Sequence, residues 1–356
     1  MRIAIIADPV DEQYAGIYTY TKNLIENLVK IDHENEYFFV HVRKNSFFTG
    51  KGKEIIIPLW RWLPGHATLR KFFIIPWILR KYKVDVVHEP AHIAPFLFFS
   101  GRYKKIVTIH DLTPVLSPQW HRFLSGLIHR LLFPLVFLRA DQVITTSEHT
   151  KKDIKKCYHP KCPITVVYQA AKKKQSIQQI LLKKPFFLHV GTIEPRKNLS
   201  FLIKVFEYLK SKYSIPHHLY LIGKKGWKSE SFFEILKKSP YSQDIILEGF
   251  LSDEELSAYY TQADCFVFPT LYEGFGLPIL EAMQYGCPVV ASNNSSLPEV
   301  VGEGGVLADE TSVEKFAEAI DKIISNADQF KKAALEQVTQ FSWVKCARET
   351  LNVYTR

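Results

Sequence analysis

The segment Pro269-Thr270-Leu271-Tyr272-Glu273-Gly274-Phe275-Gly276-Leu277-Pro278-Ile279-Leu280-Glu281-Ala282 holds two carboxylates on either side of a glycine-punctuated turn. The run before it, Cys265-Phe266-Val267-Phe268, is short and apolar, as a buried parallel strand should be. Gly274 and Gly276 let the backbone turn tightly into a helix predicted to begin near Leu277. Unpaired backbone N–H groups at such a turn favour a phosphate, which makes the backbone of Gly274, Phe275, Gly276 and Leu277 a candidate anion site. Glu273, inside the turn, is a poor phosphate ligand, so its expected partners are neutral donors such as sugar hydroxyls. Glu281, about two helical turns later, can accept from a ribose. A glycine-rich turn with two solvated glutamates is the plain alternative.

A second set of charges follows another strand. Gly191-Thr192-Ile193-Glu194-Pro195-Arg196-Lys197-Asn198 precedes a helix expected over Leu199 to Lys212. Two cations beside a helix start can neutralise a diphosphate, provided that Arg196 and Lys197 lie opposite the Glu273 turn; otherwise they are a solvated basic pair. In the first half, His110 closes the strand-like run Ile106-Val107-Thr108-Ile109 with Asp111 beside it, a polar pair expected to project from a strand's carboxyl end. Gly16, in Tyr14-Ala15-Gly16-Ile17-Tyr18-Thr19-Tyr20, is read as a loop residue ahead of the helical spacing Ile17, Tyr20, Leu24 and Leu28. It is either a point where backbone approaches a ligand or a simple turn glycine. His88 and His92 have the spacing of helical metal ligands, but Pro90 between them argues against the helix, and no metal is expected.

Elements must position these groups. Strand-like runs at Arg2–Ala7, Tyr37–Val42, Val84–His88, Lys105–His110, Gln142–Thr146 and Ile164–Tyr168 alternate with helical stretches. A lysine-rich, strandless segment from Lys172 to Lys184 follows, and the pattern restarts at Pro185–Val190, Leu219–Ile222, Asp244–Leu247, Cys265–Phe268 and Pro288–Ala291. The alternation predicts two α/β domains with doubly wound parallel sheets facing across a cleft at the carboxyl ends of their strands. Ser252-Asp253-Glu254-Glu255 reads as a capping box at a helix start.

With 356 residues and 47% hydrophobic content the chain suits two domains of about 150 to 200 residues each. No run of eighteen apolar residues appears and the opening residues read as a strand, so a cytoplasmic location is expected. Five cysteines without a CxxC pair argue against a disulfide framework or a zinc site. The net charge of +10 is uneven: residues 1–180 carry 27 Lys and Arg against 14 Asp and Glu, while residues 181–356 carry 19 against 22. Between Arg43 and Arg139 there are 16 basic and 4 acidic residues interleaved with Trp60, Trp62, Trp77 and Trp120. This mixture suits peripheral contact with an anionic membrane, or else marks core helices with basic outer faces. Nucleic acid is not expected, because no RNA-binding aromatic motif, zinc finger or helix-turn-helix signature accompanies the charge.

Taken jointly, these residues resemble the retaining nucleotide-sugar glycosyltransferases of family 4, with the two-domain GT-B fold. The resemblance spans nearly the whole chain and is strongest from Gly191 to Asp309, where the Gly-Thr-Ile-Glu-Pro-Arg-Lys-Asn run, the Glu273 and Glu281 pair and Leu297-Pro298-Glu299-Val300 keep the family's order and spacing. It implies an acceptor-side domain over 1–170, a nucleotide-sugar-binding domain over 171–340, and a helix over 341–356 that packs back on the first domain. Arg196 and Lys197 would hold the donor diphosphate, Glu273 the sugar hydroxyls, Glu281 the ribose, and Gly274 to Leu277 phosphate and sugar. His110 matches a histidine near the reacting centre, and Gly16 a glycine whose backbone approaches the phosphates. Thr192 stands where many relatives have arginine, Ala15-Gly16 replaces a double glycine, and Tyr168-Gln169-Ala170 replaces the more usual Asn-Gly pair. Arg196 then supplies the charge, as in a subgroup similar to polysaccharide and O-antigen mannosyltransferases.

The implied reaction transfers a hexose, with mannose from GDP-mannose the best assignment, to a hydroxyl of a saccharide or polyprenyl-linked acceptor, with retention. The departing diphosphate itself takes the acceptor proton, so no cofactor and no divalent metal is required; no Asp-x-Asp motif occurs. A UDP-sugar-dependent transferase, a non-catalytic nucleotide-sugar binder, a phosphorylase of the same fold and a hydrolase using Glu273 and Glu281 remain as alternatives.

Overall fold

The structure is a computed structural model that describes residues 1–13, 15–60, 62–63, 65–98, 101–121 and 123–356, with the side chains of 15 and 123 also left aside. Tyr14, Arg61, Pro64 and Arg122, which belong to stretches singled out above, lie outside the described residues.

The chain divides into two compact units: residues 1–169 with 342–356, and residues 170–341. In the first unit seven strands form one sheet: β1 (Arg2–Ile6), β2 (Glu36–His41), β3 (Lys53–Ile56), β4 (Val86–Glu89), β5 (Lys104–Ile109), β6 (Gln142–Thr145) and β7 (Ile164–Val166). Their order is β3-β2-β1-β4-β5-β6-β7, and every pairing is parallel. The second unit repeats the pattern with β8 (Phe186–Val190), β9 (His218–Ile222), β10 (Ile245–Glu248), β11 (Cys265–Phe268), β12 (Val289–Ser292) and β13 (Gly305–Ala308), ordered β10-β9-β8-β11-β12-β13. In each sheet the order in which strands are added reverses beside the first strand, between β1 and β4 and between β8 and β11. Ligands of such sheets bind outside the carboxyl ends of the strands at that switch point.

Helices cover both faces, so central strands are buried on both sides; β4 and β11 are buried at every residue. Two strands escaped the sequence reading. β3 is Lys-Glu-Ile-Ile and β13 is Gly-Val-Leu-Ala, both at sheet edges where one side of the ladder is open. Edge strands need no continuous apolar run, so periodicity does not announce them. The other eleven strands lie where the alternation placed them, with ends shifted by a residue or two.

The capping box at the helix Asp253–Gln262 forms in full: Glu255 N donates to Ser252 Oγ at 3.2 Å and Ser252 N to Glu255 Oε2 at 2.7 Å. The strandless segment 172–184 is tied to that helix and its sheet. Ser257 Oγ donates to the Ser176 carbonyl at 3.1 Å, Gln262 Nε2 to the Ile180 carbonyl at 3.2 Å, and Lys183 N to Tyr220 Oη at 3.1 Å. The helix Trp343–Thr355 belongs to the first unit, where it lies against the helix Ala15–Ile31. Its Tyr354 hydroxyl sits 2.6 Å from His88 Nδ1, and Lys104 Nζ donates to the Val353 carbonyl at 2.7 Å. His88 and His92 share no helix. All five cysteines are free thiols, and no described helix is long and apolar enough to cross a membrane.

The buried Tyr354 to His88 bond makes a stability prediction. Tyr354→Phe strips His88 Nδ1 of its partner at little cost in shape and lowers unfolding free energy by about 1–3 kcal/mol. A urea denaturation midpoint unchanged from wild type would show that this bond does not hold the terminal helix.

Candidate functional site

The switch point of the second sheet gathers three of the residues singled out from sequence. The turn after β8 carries Arg196 and Lys197, and the turn after β11 carries Glu273. Backbone bonds stitch the turns together first: Leu271 N donates to the Arg196 carbonyl at 2.9 Å, and Thr270 Oγ1 reaches the same oxygen at 3.0 Å. The side chains then pair. Lys197 Nζ lies 2.6 Å from Glu273 Oε1 and Arg196 Nη1 lies 2.9 Å from Glu273 Oε2, so each carboxylate oxygen faces its own cation.

Glu273 was expected to meet neutral donors, and the difference has a physical reason. The backbone stitch brings two cations within reach of a carboxylate that little water screens, and unscreened opposite charges attract strongly. Burial pulls the Glu273 pKa upward, but Arg196 and Lys197 outweigh it and hold the carboxyl below the usual range. Lys197 is itself buried, which lowers its pKa against the opposing pull of Glu273. Its ammonium also lies over the Phe268 ring, 4.8 Å from the centroid.

Residues that sequence reasoning left unassigned hold this arrangement. Glu194 Oε1 accepts from Arg196 Nε at 3.1 Å and Nη2 at 2.8 Å, fixing the guanidinium in its plane. Asn294 Nδ2 donates to the Thr270 carbonyl at 3.0 Å, Glu273 N to Ser295 Oγ at 3.0 Å, and Ser296 Oγ to the Phe275 carbonyl at 2.7 Å. The run Asn293-Asn294-Ser295-Ser296, small polar residues directly after β12, is the signal that could have found them. Gly276 has φ +118°, and a Cβ there would lie 3.1 Å from Leu297 Cδ2, so the turn needs glycine. The Phe275 ring is buried edge-on against Phe341, 5.8 Å between centroids, which leaves its backbone as the part that can meet a ligand. Leu277 opens the helix Leu277–Met283, as expected.

Glu281, on that helix, has its own partners: the Tyr260 hydroxyl at 3.3 Å and Lys172 Nζ at 3.9 Å. Burial raises its pKa, and Lys172 opposes the shift.

The first unit supplies Gly16 and His110. Gly16 lies within the helix Ala15–Ile31 and not in a loop, because the stretch after β1 is shortened by an additional helix, Asp8–Glu12, with Pro9 in its first turn. Apart from its chain neighbours and its own helix backbone, no described atom comes within 4 Å of where a Gly16 Cβ would stand. His110 does not project freely from its strand end; only 9% of it is exposed. Its Nε2–H donates to the Pro90 carbonyl at 2.8 Å, Gln169 Nε2 sits 3.4 Å from Nδ1, and Tyr20 meets the ring edge-on at 4.9 Å. Burial lowers its pKa, against the Pro90 bond, so the imidazole is neutral and fixed in one tautomer. No group of three or more metal-ligating side chains forms among the described residues.

Comparison with known proteins identifies the family and fold. Residues 14–171 match the family described as Glycosyltransferase Family 4, and residues 171–337 match Glycosyl transferases group 1. The O-antigen chain mannosyltransferase B of Escherichia coli is 31% identical over 299 residues, 78% of this chain and 76% of that protein. The serotype-specific mannosyltransferase WbdA of Escherichia coli is 28% identical over 275 residues, but this chain spans only about a third of its length, 34%. Sucrose-phosphate synthase from Thermosynechococcus elongatus superimposes with a TM-score of 0.80 at 21% identity, over 100% of this chain and 98% of that one. With its two switch-point sheets and its relatives both pointing the same way, the chain belongs to the family 4-like glycosyltransferases of GT-B fold and is similar within them to O-antigen mannosyltransferases.

Proposed function

We propose that the chain is a retaining hexosyltransferase that moves mannose from GDP-mannose to a hydroxyl of a saccharide or lipid-linked saccharide during assembly of a cell-surface polysaccharide. The observation that carries this reading is the convergence of Arg196 and Lys197 on Glu273 at the switch point of the second sheet. An ammonium has three donors and Glu273 takes one from Lys197, so the pair can anchor a diphosphate while the carboxylate orients it and meets sugar hydroxyls. The relatives named as mannosyltransferases support mannose, and with it GDP, as the donor.

In the reaction the bond from the anomeric carbon to the β-phosphate oxygen breaks and a bond from that carbon to the acceptor oxygen forms on the same face. The acceptor proton passes to the departing diphosphate. The protein positions the reactants and stabilises the charge that grows on the diphosphate, the task of Arg196, Lys197 and the backbone from Gly274 to Leu277. Glu281 is assigned to the ribose. Gly16, where a side chain would meet no other described element, is assigned to backbone contact with the phosphates. His110, held neutral by burial, is assigned to the reacting sugar.

A lipid-linked acceptor calls for a membrane-facing surface, and the helix Phe123–Arg139 offers one. Leu124, Leu127, Ile128, Leu131 and Leu138 are exposed at helical spacing, and no Asp or Glu occurs between Asp111 and Asp141. An apolar outer stripe with arginines and no acids matches an anionic interface.

Three outcomes are expected. Glu273→Ala and Arg196→Ala, folded by circular dichroism, lose about a hundredfold or more in turnover; wild-type rates in either variant sink the donor-site reading. At matched concentrations GDP raises the thermal midpoint more than UDP, ADP or CMP does, since stabilisation follows affinity; a larger shift with UDP replaces the sugar assignment and leaves the fold untouched. In low salt the protein sediments with anionic vesicles, and Leu131→Glu with Leu138→Glu releases it; equal recovery in the supernatant with and without vesicles ends the membrane assignment.

A further inference from the structure

His189, in β8, ends in a ring that is completely buried. Its Nδ1 lies 3.0 Å from the Val267 carbonyl oxygen. A carbonyl only accepts, so Nδ1 carries the proton and Nε2 is left as a bare lone pair. That nitrogen is buried and finds no hydrogen-bond partner among the described residues. Buried polar atoms are rarely left so, because an unmade hydrogen bond forfeits the water it once had.

Its surroundings place it near the Lys197 side chain. The His189 ring stacks beside Phe268, 5.6 Å between centroids at 20°, and beside Phe266 at 6.5 Å and 3°. Phe268 is the same ring over which the Lys197 ammonium lies. A side chain on Gly191 would stand 3.2 Å from His189 Nε2 and 3.3 Å from Lys197 Cε, so the bare nitrogen and the lysine stem flank one point that glycine keeps open. Burial pushes the imidazole pKa down to about 4, the Val267 bond opposes this, and Lys197 adds to it, which keeps the ring an acceptor at neutral pH.

The geometry points to His189 as a positioning residue for Lys197: Nε2 and the ammonium make no hydrogen bond in this structure, and on donor binding the three ammonium donors divide among Glu273, His189 Nε2 and the diphosphate, so that the cation meets the phosphates in one orientation. This rests on the reading of Lys197 as a diphosphate ligand. His189 touches no substrate itself and acts through the lysine. A lone ammonium on a flexible stem is a point charge without direction, and a second fixed acceptor gives it one.

The test compares His189→Asn, His189→Gln and Lys197→Ala by calorimetric binding of GDP and GMP, and of UDP and UMP, with thermal midpoints alongside. Asparagine keeps a donor toward the Val267 carbonyl and removes the Nε2 acceptor, whereas glutamine returns an acceptor near it. We expect His189→Asn to weaken diphosphate binding about tenfold while monophosphate binding holds, His189→Gln to stay within about threefold of wild type, and His189→Asn to add nothing in a Lys197→Ala background. If His189→Asn lowers GDP and GMP affinity alike, or leaves GDP affinity unchanged while Lys197→Ala reduces it, the positioning role is wrong and the donor site stands. If Lys197→Ala itself leaves diphosphate binding unchanged, the donor-site reading fails and takes this inference with it.

Discussion

Everything at the second unit's switch point depends on one carboxylate facing two cations out of water. Lys197 and Glu273 are largely shielded from solvent and Arg196 partly so; their attraction is therefore strong and their desolvation costly, and the balance favours the cluster because each carboxylate oxygen has its own partner. Removing Glu273 leaves the buried Lys197 ammonium without its carboxylate, while Arg196 keeps Glu194. The cluster therefore cannot serve as a loose surface ion pair. It holds the turn after β8 to the turn after β11, and in doing so it presents cationic N–H groups at the one place where a doubly wound sheet opens a crevice.

The scaffold around the cluster is chosen for stiffness. Gly223, at φ +151°, would put a Cβ 2.0 Å from the Gly191 carbonyl oxygen, so the loop after β9 lies backbone to backbone on the loop after β8. Two further bonds close the contact, Ile193 N to the Lys224 carbonyl and Gly226 N to the Ile193 carbonyl, both at 3.0 Å. The segment that carries Arg196 is thereby pinned from β9 on one side and from β11 on the other. Preorganised charge of this kind needs no rearrangement when negative charge develops on a leaving group, which is where electrostatic catalysis gains its advantage.

How much of this could be read from the chain follows from what each feature depends on. β11 and the turn after it were legible because a run such as Cys265-Phe266-Val267-Phe268 is buried on both faces and the glycines that follow permit the bend. The capping box at Ser252 was legible because its partners are three residues apart. β3 and β13 were not, since an edge strand borrows its stability from one neighbour and its composition carries little pattern. Gly16 was placed in a loop because a short helix over Asp8–Glu12 leaves no periodic signal. The pairing of Glu273 with Arg196 and Lys197, and the bare nitrogen of His189, join residues more than seventy positions apart; the sequence names the charges but only the folded sheet decides which of them meet.

The two halves of the chain use the same strand order for different electrostatic ends. In the second unit the switch point concentrates cations that a carboxylate holds in place. In the first, Glu89 closes β4 beside β1, buried and paired with Lys71 at 3.0 Å, while Arg70 grips Asp8 through both carboxylate oxygens at 2.6 and 2.7 Å. There the cations come from the segment 70–71 and each is spent on an acid of the sheet's carboxyl edge, with burial raising the Glu89 pKa to about 7 despite Lys71. The two switch points thus differ in what they leave paired: cations held by a carboxylate in the second unit, and acids held by cations in the first.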